Sequence, residues 1–188
     1  MGLTVSFFRV IGWVLLFNSF RCPIPFDPFD ILLINGRVID GSGGHSYLLD
    51  IGIRKDRIIA MGKLESDTAH HVENVENRML IPFVWNESSI LTPDDLIDLE
   101  DAYNDLLHSM LSQDKHKPVD QLLQQLVLQL NHPKDSSRTA MIGKGFRANI
   151  LIVNPRKTFH FTPLTRIPTD LLDFDFAIYH GKKVTLCN

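Results

Sequence analysis

The amino-acid sequence predicts a mainly β fold with an α-helical insertion. Two strand-rich blocks, residues 30–85 and 141–188, flank a segment with helical periodicity at residues 86–140. Several short apolar runs at close spacing, each bounded by turn residues, are typical of a β-sandwich. We therefore expect one small composite β-sandwich formed by strands of both blocks, with a helical hairpin attached to it.

The composition fits a globular protein. Of the 188 residues, 44% are hydrophobic and 22% are charged, which is ordinary for a domain with a packed core. The net charge of −3 supplies no basic field, so we expect no nucleic-acid partner. Cys22 and Cys187 stand alone without metal-ligand spacing, and we expect two unpaired thiols, with one disulfide between them left open.

Residues 1–29 form an apolar amino-terminal extension with a proline-rich linker. The stretch from Leu3 to Phe20 is strongly apolar but contains Arg9, and a charge is costly in a membrane span. Three interpretations stay open: a signal peptide or membrane anchor, a segment packed on the domain, or extra translated sequence ahead of the true start. We favour a cytoplasmic protein and keep open secretion or membrane contact through this extension. The linker prolines are Pro23, Pro25 and Pro28.

The first block, residues 30–85, opens with a predicted β-hairpin. Ile31 to Ile34 is rich in β-formers, Asn35-Gly36 is the favoured two-residue turn, and Arg37 to Ile39 begins the return strand. Further strands are predicted at Leu48–Arg54, Arg57–Gly62, Val72–Val75 and Met79–Ile81, the last two as a pair around Glu76-Asn77. We expect these strands to form an antiparallel sheet.

The middle segment, residues 86–140, carries two amphipathic helices. Thr92 and Asp95 form a capping box around Pro93, which suits the first helical position. The first apolar stripe consists of Leu96, Leu99, Tyr103, Leu106 and Met110, and the second of Val119, Leu122, Leu123, Leu126, Val127 and Leu130. We favour a hairpin that packs on the sandwich, while a partner-binding or dimerising hairpin stays open.

The second block, residues 141–188, predicts two further strand regions. Ile150 to Val153 is a continuous apolar run closed by Asn154-Pro155, which is typical of a strand buried on both faces. A strand, a turn at His180-Gly181 and a second strand follow between Phe176 and Val184. These strands would complete a sheet begun by the first block.

Both blocks resemble metal-dependent amidohydrolases, in particular the N-acyl-D-amino-acid deacylases (D-aminoacylases). The first resemblance is carried by the string INGRVIDG from Ile34 to Gly41, with DIGI at 50–53 and DRI at 56–58. The second is carried by Ala148 to Pro155, where Asn149 and Asn154 replace the family's usual acids, and by the strands around His180-Gly181. The resemblance implies a small sandwich, built from two ends of a chain, beside a catalytic barrel.

The barrel that the resemblance implies does not fit between the two blocks. Only 59 residues separate Pro82 from Ile142, whereas a β/α barrel takes about 200 or more. The family's first barrel strand ends in a His-x-His pair that binds a divalent metal, usually zinc. Asn86-Glu87-Ser88 stands near that place here, and amide and hydroxyl groups are poor zinc ligands.

We therefore assign no catalytic, cofactor-binding or metal-binding residue from the sequence, and we expect no cofactor. The adjacent rings of His70 and His71 would face opposite sides of a strand. The other histidines are scattered, and we expect them on the surface or partly buried: His45, His108, His116, His132, His160 and His180.

The function that we expect is that of an amidohydrolase-like protein without independent catalysis, a truncated or degenerate hydrolase. The family's activity would be metal-dependent hydrolysis of N-acyl-D-amino acids or related amides. The alternative is an interaction or oligomerisation module, or one part of a split amidohydrolase that acts on C–N bonds. The corresponding partners are a second copy of this chain or a separate barrel chain.

Overall fold

The computed structural model describes residues 28–65, 69–85, 89–113, 117–130, 141–155 and 171–186. The expectations for residues 1–27 lie outside these ranges. The described ranges contain eight strands and two helices, which confirms the mainly β class with an α-helical insertion. In chain order they are β1 (Phe29–Val38), β2 (Tyr47–Arg54), β3 (Arg57–Gly62), β4 (Ala69–Asn74), β5 (Met79–Pro82), α1 (Pro93–Gln113), α2 (Val119–Leu130), β6 (Ile150–Pro155), β7 (Leu172–Tyr179) and β8 (Lys182–Thr185).

The eight strands form one mixed sheet in the order β3-β2-β1-β5-β6-β7-β8, with β4 also paired to β1. β4 runs parallel to the first half of β1, from Phe29 to Ile34, and β5 runs parallel to the second half at Arg37 and Val38. The remaining strand pairs are antiparallel. The expected antiparallel sheet is therefore wrong around β1, and β4 and β5 each pair with β1 rather than with one another.

Ile34 and Asn35 form a β-bulge inside one continuous strand, so the hairpin predicted at Asn35-Gly36 is wrong. The register with β2 skips from Leu33 to Gly36, which leaves two residues of β1 opposite Asp50. Asn35 has a φ of 59°, and its backbone N–H donates to the Asp50 carboxylate at 2.9 Å. A type I′ hairpin turn needs positive φ at both central residues, and Gly36 does not have it.

Turns with positive φ at both central residues occur at two other places. Glu76-Asn77 has φ values of 49° and 64°, and His180-Gly181 has φ values of 49° and 73°. The first turn carries the chain from β4 to β5 at the level of the bulge, so β1 changes its parallel partner there. The second turn joins β7 to β8, as the sequence predicts.

The sheet folds over so that β1–β3 pack against β5–β7, which is the expected composite sandwich. The inner core between these strands is apolar, and each fully buried side chain stabilises the fold by about 1.5–3 kcal/mol. The inner core consists of Ile31, Leu33, Val38, Ile51, Ile53, Ile58, Val75, Leu80, Ile142, Ala148, Ile150, Ile152, Phe176 and Ile178.

The opposite face of β5–β7 is covered by the two helices. Because successive strand side chains point to opposite faces, Leu80 enters the inner core while Met79 and Ile81 enter this outer core. The apolar run Ile150–Val153 is therefore covered on both faces, as predicted. The outer core consists of Ile39, Met79, Ile81, Phe83, Leu91, Leu96, Tyr103, Leu107, Leu111, Leu122, Leu123, Leu126, Val127, Leu151, Val153, Leu171, Leu172, Phe174, Ala177 and Tyr179.

α1 begins as predicted but buries a different face. The Asp95 N–H donates to Thr92 Oγ1 at 3.3 Å and the Thr92 N–H donates to the Asp95 carboxylate at 2.8 Å, which completes the capping box. Leu106 was expected in the apolar stripe, yet it is 43% exposed because Leu107 and Asn104 face the sheet instead. No helix in the described ranges is long and apolar enough to span a bilayer.

Asn104 is the buried polar residue that fixes α1 against the start of β7. Its Nδ2 donates to the Leu172 carbonyl at 3.2 Å, and its Oδ1 accepts from the N–H groups of Leu171 and Leu172, each at 2.8 Å. A buried amide with satisfied partners costs little and orients what it touches. These partners are far away in sequence, so helical periodicity gives no signal for the contact.

Candidate functional site

The candidate site is the aromatic junction at the end of β5, where the resemblance implies that a barrel would begin. It consists of Phe83, Trp85, Tyr179 and His180. Phe83 is buried next to Tyr179, with 6.0 Å between the ring centroids. Tyr179 stacks on His180 at 4.2 Å with an interplanar angle of 20°. The junction therefore joins the end of β5 to the turn between β7 and β8.

A pocket of about 250 Å³ opens beside this aromatic junction. Ser89–Leu91 lines one side, and Tyr179, His180, Lys182 and Val184 line the other. The Tyr179 hydroxyl donates to the Ser89 carbonyl at 3.4 Å, which ties the two sides together. The volume is smaller than that of a pocket for a drug-sized ligand, which is roughly 300–1,000 Å³.

Two buried nitrogen atoms of the junction, Trp85 Nε1 and His180 Nε2, have no hydrogen-bond partner among the described residues. A buried polar atom without a partner costs about 1–3 kcal/mol. Asn86-Glu87-Ser88, which follows Trp85 directly, lies outside the described residues, so what the sequence predicts for it stays a prediction.

Within the described ranges, no three side chains of His, Cys, Asp or Glu come together to hold a metal ion. The described histidines are exposed or half-buried, as expected: His45, His70, His71, His108 and His180. His116, His132, His160, Cys22 and Cys187 lie outside the described residues. The assignment of no metal ligand stays a prediction for the whole chain.

Glu73 of β4 connects two edges of the sandwich. Its carboxylate accepts hydrogen bonds from Lys183 of β8 and from His71 Nε2. Partial burial opposes ionisation, but the hydrogen bonds and positive charge of these partners outweigh it and lower the pKa of Glu73. Lys183 Nζ also lies 4.2 Å from the centroid of the Phe176 ring. The arrangement is that of a structural ion pair.

Among the other groups with shifted pKa values, neither Asp40 nor Tyr103 is poised for proton transfer near neutral pH. Partial burial opposes ionisation of Asp40, but hydrogen bonds from Ser42 and from the Tyr47 hydroxyl outweigh it and lower the Asp40 pKa. Burial raises the pKa of the Tyr103 hydroxyl far above its ordinary value, which keeps it neutral. An efficient general acid or base has a pKa near the working pH.

The described arrangement offers a small binding pocket and structural ion pairs. Sequence analysis missed the pocket, because Ser89–Leu91 and Lys182 belong to no motif. The predicted turn at His180-Gly181 was the available signal, since it places His180 and β8 at one end of the sandwich. The position of Ser89–Leu91 opposite that turn depends on the tertiary fold.

Part of the chain is similar in sequence to a D-aminoacylase. The D-aminoacylase of Alcaligenes xylosoxydans xylosoxydans is 42% identical over 55 residues, which are 29% of this chain and 11% of that relative. A segment of this chain is therefore similar to a segment of D-aminoacylase. The match confirms the resemblance drawn from the sequence, and it spans about a tenth of the relative's length. No protein-family model matches the chain.

The solved structures that match this chain align with less than half of it. A crystal structure of a D-aminoacylase, described as an amidohydrolase, matches at 31% identity over 44% of this chain and 16% of its own, with a TM-score of 0.29. N-acyl-D-glutamate deacylase from Bordetella bronchiseptica matches at 25% identity over 43% and 17%, with a TM-score of 0.29. L-hydantoinase from Arthrobacter aurescens matches at 22% identity over 39% and 15%, with a TM-score of 0.27. At these TM-scores, the relationship rests on the sequence match.

Proposed function

We propose that this chain is an amidohydrolase-like β-sandwich without catalysis of its own. The observation that carries the proposal is the distance of 59 residues between Pro82 and Ile142, which is too short for a barrel of about 200 residues. In this interval, α1 and α2 pack their apolar sides on β5–β7. The outer face of the sandwich is thus occupied by helices of the chain itself.

The ligand chemistry near the end of β5 supports the same proposal. Metal-assisted hydrolysis of an amide requires a metal that activates water, and imidazole side chains are common ligands for such a metal. Asn86 and Ser88 stand near the positions where the family places two histidines, and their amide and hydroxyl groups bind zinc poorly.

The test measures zinc content and amidase activity of the purified full chain. We expect substoichiometric zinc and no turnover of N-acyl-D-amino acids above a buffer blank. The D-aminoacylase from Alcaligenes xylosoxydans xylosoxydans, assayed in parallel, is the positive control. Stoichiometric zinc together with turnover that a chelator abolishes would contradict the proposal.

A second candidate function is association with another copy of this chain beside the aromatic junction. Ile90 is 86% exposed and Val84 is 39% exposed. Large apolar side chains that are exposed near one another mark association surfaces.

Sedimentation velocity tests this candidate function. Ile90→Asp should convert a dimer to monomer, whereas Ile97→Asp on α1 should leave the dimer intact. A strict monomer at every concentration of the unaltered chain would eliminate this candidate.

A further inference from the structure

Three turns meet at one end of the sandwich and carry a cluster of cations. They are Lys55-Asp56 between β2 and β3, Gly143–Arg147 before β6, and His180-Gly181 between β7 and β8. The cationic side chains on and next to these turns form the basic end: Lys55, Arg57, Lys144, Arg147 and Lys182. Two acids lie beside these cations: the Asp56 carboxylate is 3.9 Å from Arg147 Nε, and the Asp30 carboxylate accepts a hydrogen bond from the Lys55 N–H.

Backbone contacts hold the three turns of the basic end together. The Gly145 N–H donates to the Ile58 carbonyl at 2.7 Å, which joins the second turn to β3. A Cβ atom on Gly181 would come 1.4 Å from the Lys55 carbonyl oxygen, so the first and third turns lie directly against each other. The basic end is therefore a fixed part of the fold.

Two arginines of the basic end face each other directly. Arg57 and Arg147 are partners in an isolated antiparallel β-bridge. Like charges in such a pair repel each other, and the Asp56 carboxylate, 3.9 Å from Arg147 Nε, offsets part of this repulsion. The Arg57 guanidinium donates to the Gly145 carbonyl at 2.7 Å, which holds it over the turn. Phe146, in the same turn, is 42% exposed among these cations.

Acidic side chains are concentrated on another part of the molecule. α1 contains neither lysine nor arginine, and it exposes or half-exposes Asp94, Asp98, Asp101 and Asp105. Because the whole chain has a net charge of −3, the basic end is a local feature and not a sign of general basicity. Such a charge asymmetry orients a protein toward an anionic surface.

The chain enters the sandwich at this same end. β1 begins at Phe29, and Arg54 Nε, at the end of β2, donates to the Pro28 carbonyl at 3.3 Å. The apolar stretch from Leu3 to Phe20 precedes β1 in the sequence, with eight residues between Phe20 and Phe29. Phe29, where the described part of β1 begins, therefore lies at the basic end.

We propose that the basic end is a docking surface for an anionic lipid bilayer. Each lysine or arginine close to such a bilayer strengthens binding by about fivefold. An apolar segment and a basic patch together are the two signals that hold a protein at a membrane surface. Phe146 enters the headgroup region, where aromatic rings are favoured. The proposal does not depend on whether the chain is catalytic.

The test measures binding of the full chain to sedimented vesicles. Vesicles of phosphatidylcholine alone are compared with vesicles that also contain phosphatidylserine. We expect tighter binding to the anionic vesicles, and a loss of this preference at high salt because salt screens exposed charges. Lys144→Gln should lower the affinity for anionic vesicles about fivefold, and Lys144→Gln with Lys182→Gln about 25-fold. Phe146→Ser should weaken binding further.

Lys63→Gln is the matched control, since Lys63 is an exposed lysine just beyond the other end of β3, about 20 Å from Arg57. We expect its affinity to change by less than about twofold, with unchanged circular dichroism in every variant. Equal binding to both vesicle types would overturn the proposal, and so would equal losses in Lys63→Gln and Lys144→Gln. An oligonucleotide that displaces the anionic vesicles would assign the surface to nucleic acid instead.

Discussion

The two faces of β5–β7 differ in how their partners are attached. The inner face packs on β1–β3, which carry the resemblance to D-aminoacylase, and the layers are also joined through backbone pairing of β1 with β5. The outer face packs on α1 and α2, which carry no recognised resemblance. There, apolar contacts and the side chain of Asn104 join helix to strand.

This difference predicts two levels of stability in one molecule. Strand pairing runs from β3 to β8, so the sandwich should unfold as one unit. The helical layer is attached by side-chain packing and the hydrogen bonds of Asn104, without strand pairing, and should open at a lower free energy than the sandwich. The predictions below test this comparison.

The largest effect is expected from truncating the two cores. Leu80 is fully buried in the inner core and Leu107 is 1% exposed in the outer core. Replacing either residue with alanine should lower the free energy of unfolding by about 2–5 kcal/mol. In hydrogen exchange, Leu107→Ala should release the amides of α1 and α2 first, whereas Leu80→Ala should release the strands together.

Leu106→Ala is the matched control for these two variants, because Leu106 lies on α1 but is 43% exposed. It should change the free energy of unfolding by less than about 1 kcal/mol. Equal release of helix and strand amides in Leu107→Ala would show that the two layers unfold together.

The next effect is expected at the contact between α1 and β7. Asn104→Ala leaves the N–H groups of Leu171 and Leu172 without their acceptor and should cost about 2–4 kcal/mol in urea denaturation. Asp101→Ala, on the exposed side of the same helix, serves as the control. A loss at Asn104 no larger than that at Asp101 would mean that apolar contacts alone hold the helix.

A smaller effect is expected at the bulge that lets β1 change partners. Asn35 has a φ of 59°, which a β-branched residue adopts with strain of about 1–3 kcal/mol. Asn35→Val should therefore destabilise the protein more than Asn35→Gly, although both variants lose the hydrogen bond to Asn74. Thermal denaturation compares them, and equal melting temperatures would contradict the assigned bulge.

The smallest effect is expected at Glu73. Its folded-state pKa is lowered, so its stabilisation is present above the unfolded-state pKa of about 4.3 and is lost as the pH falls through the folded-state value. Glu73→Gln should cost about 0.5–1 kcal/mol near pH 7 and progressively less as the pH falls below the unfolded-state pKa, as measured by urea denaturation. A cost that does not decline as the pH is lowered would argue against an ion pair with Lys183.

Local sequence patterns predicted the conformation correctly where it depends on neighbouring residues only. The capping box at Thr92 and the hairpin turn at His180-Gly181 formed as expected. Asn35-Gly36 carries an equally strong turn signal but lies within a strand, because β2, β4 and β5 pair with β1 on both sides of it. Helical periodicity is compatible with burial of either Leu106 or Leu107. The position of the helix on the sheet buries Leu107 and leaves Leu106 exposed.

By itself, the sequence determined the mainly β class, the position of the two helices, the resemblance to D-aminoacylase and the short interval between the two strand-rich blocks. These properties depend on residue type, spacing and length, which are local or additive. The tertiary structure decided the parallel pairing of β1, the role of Asn104, the pocket beside His180 and the basic end formed by three separate turns. Each of these brings together residues far apart in the chain, and their proximity follows from packing rather than from any local pattern.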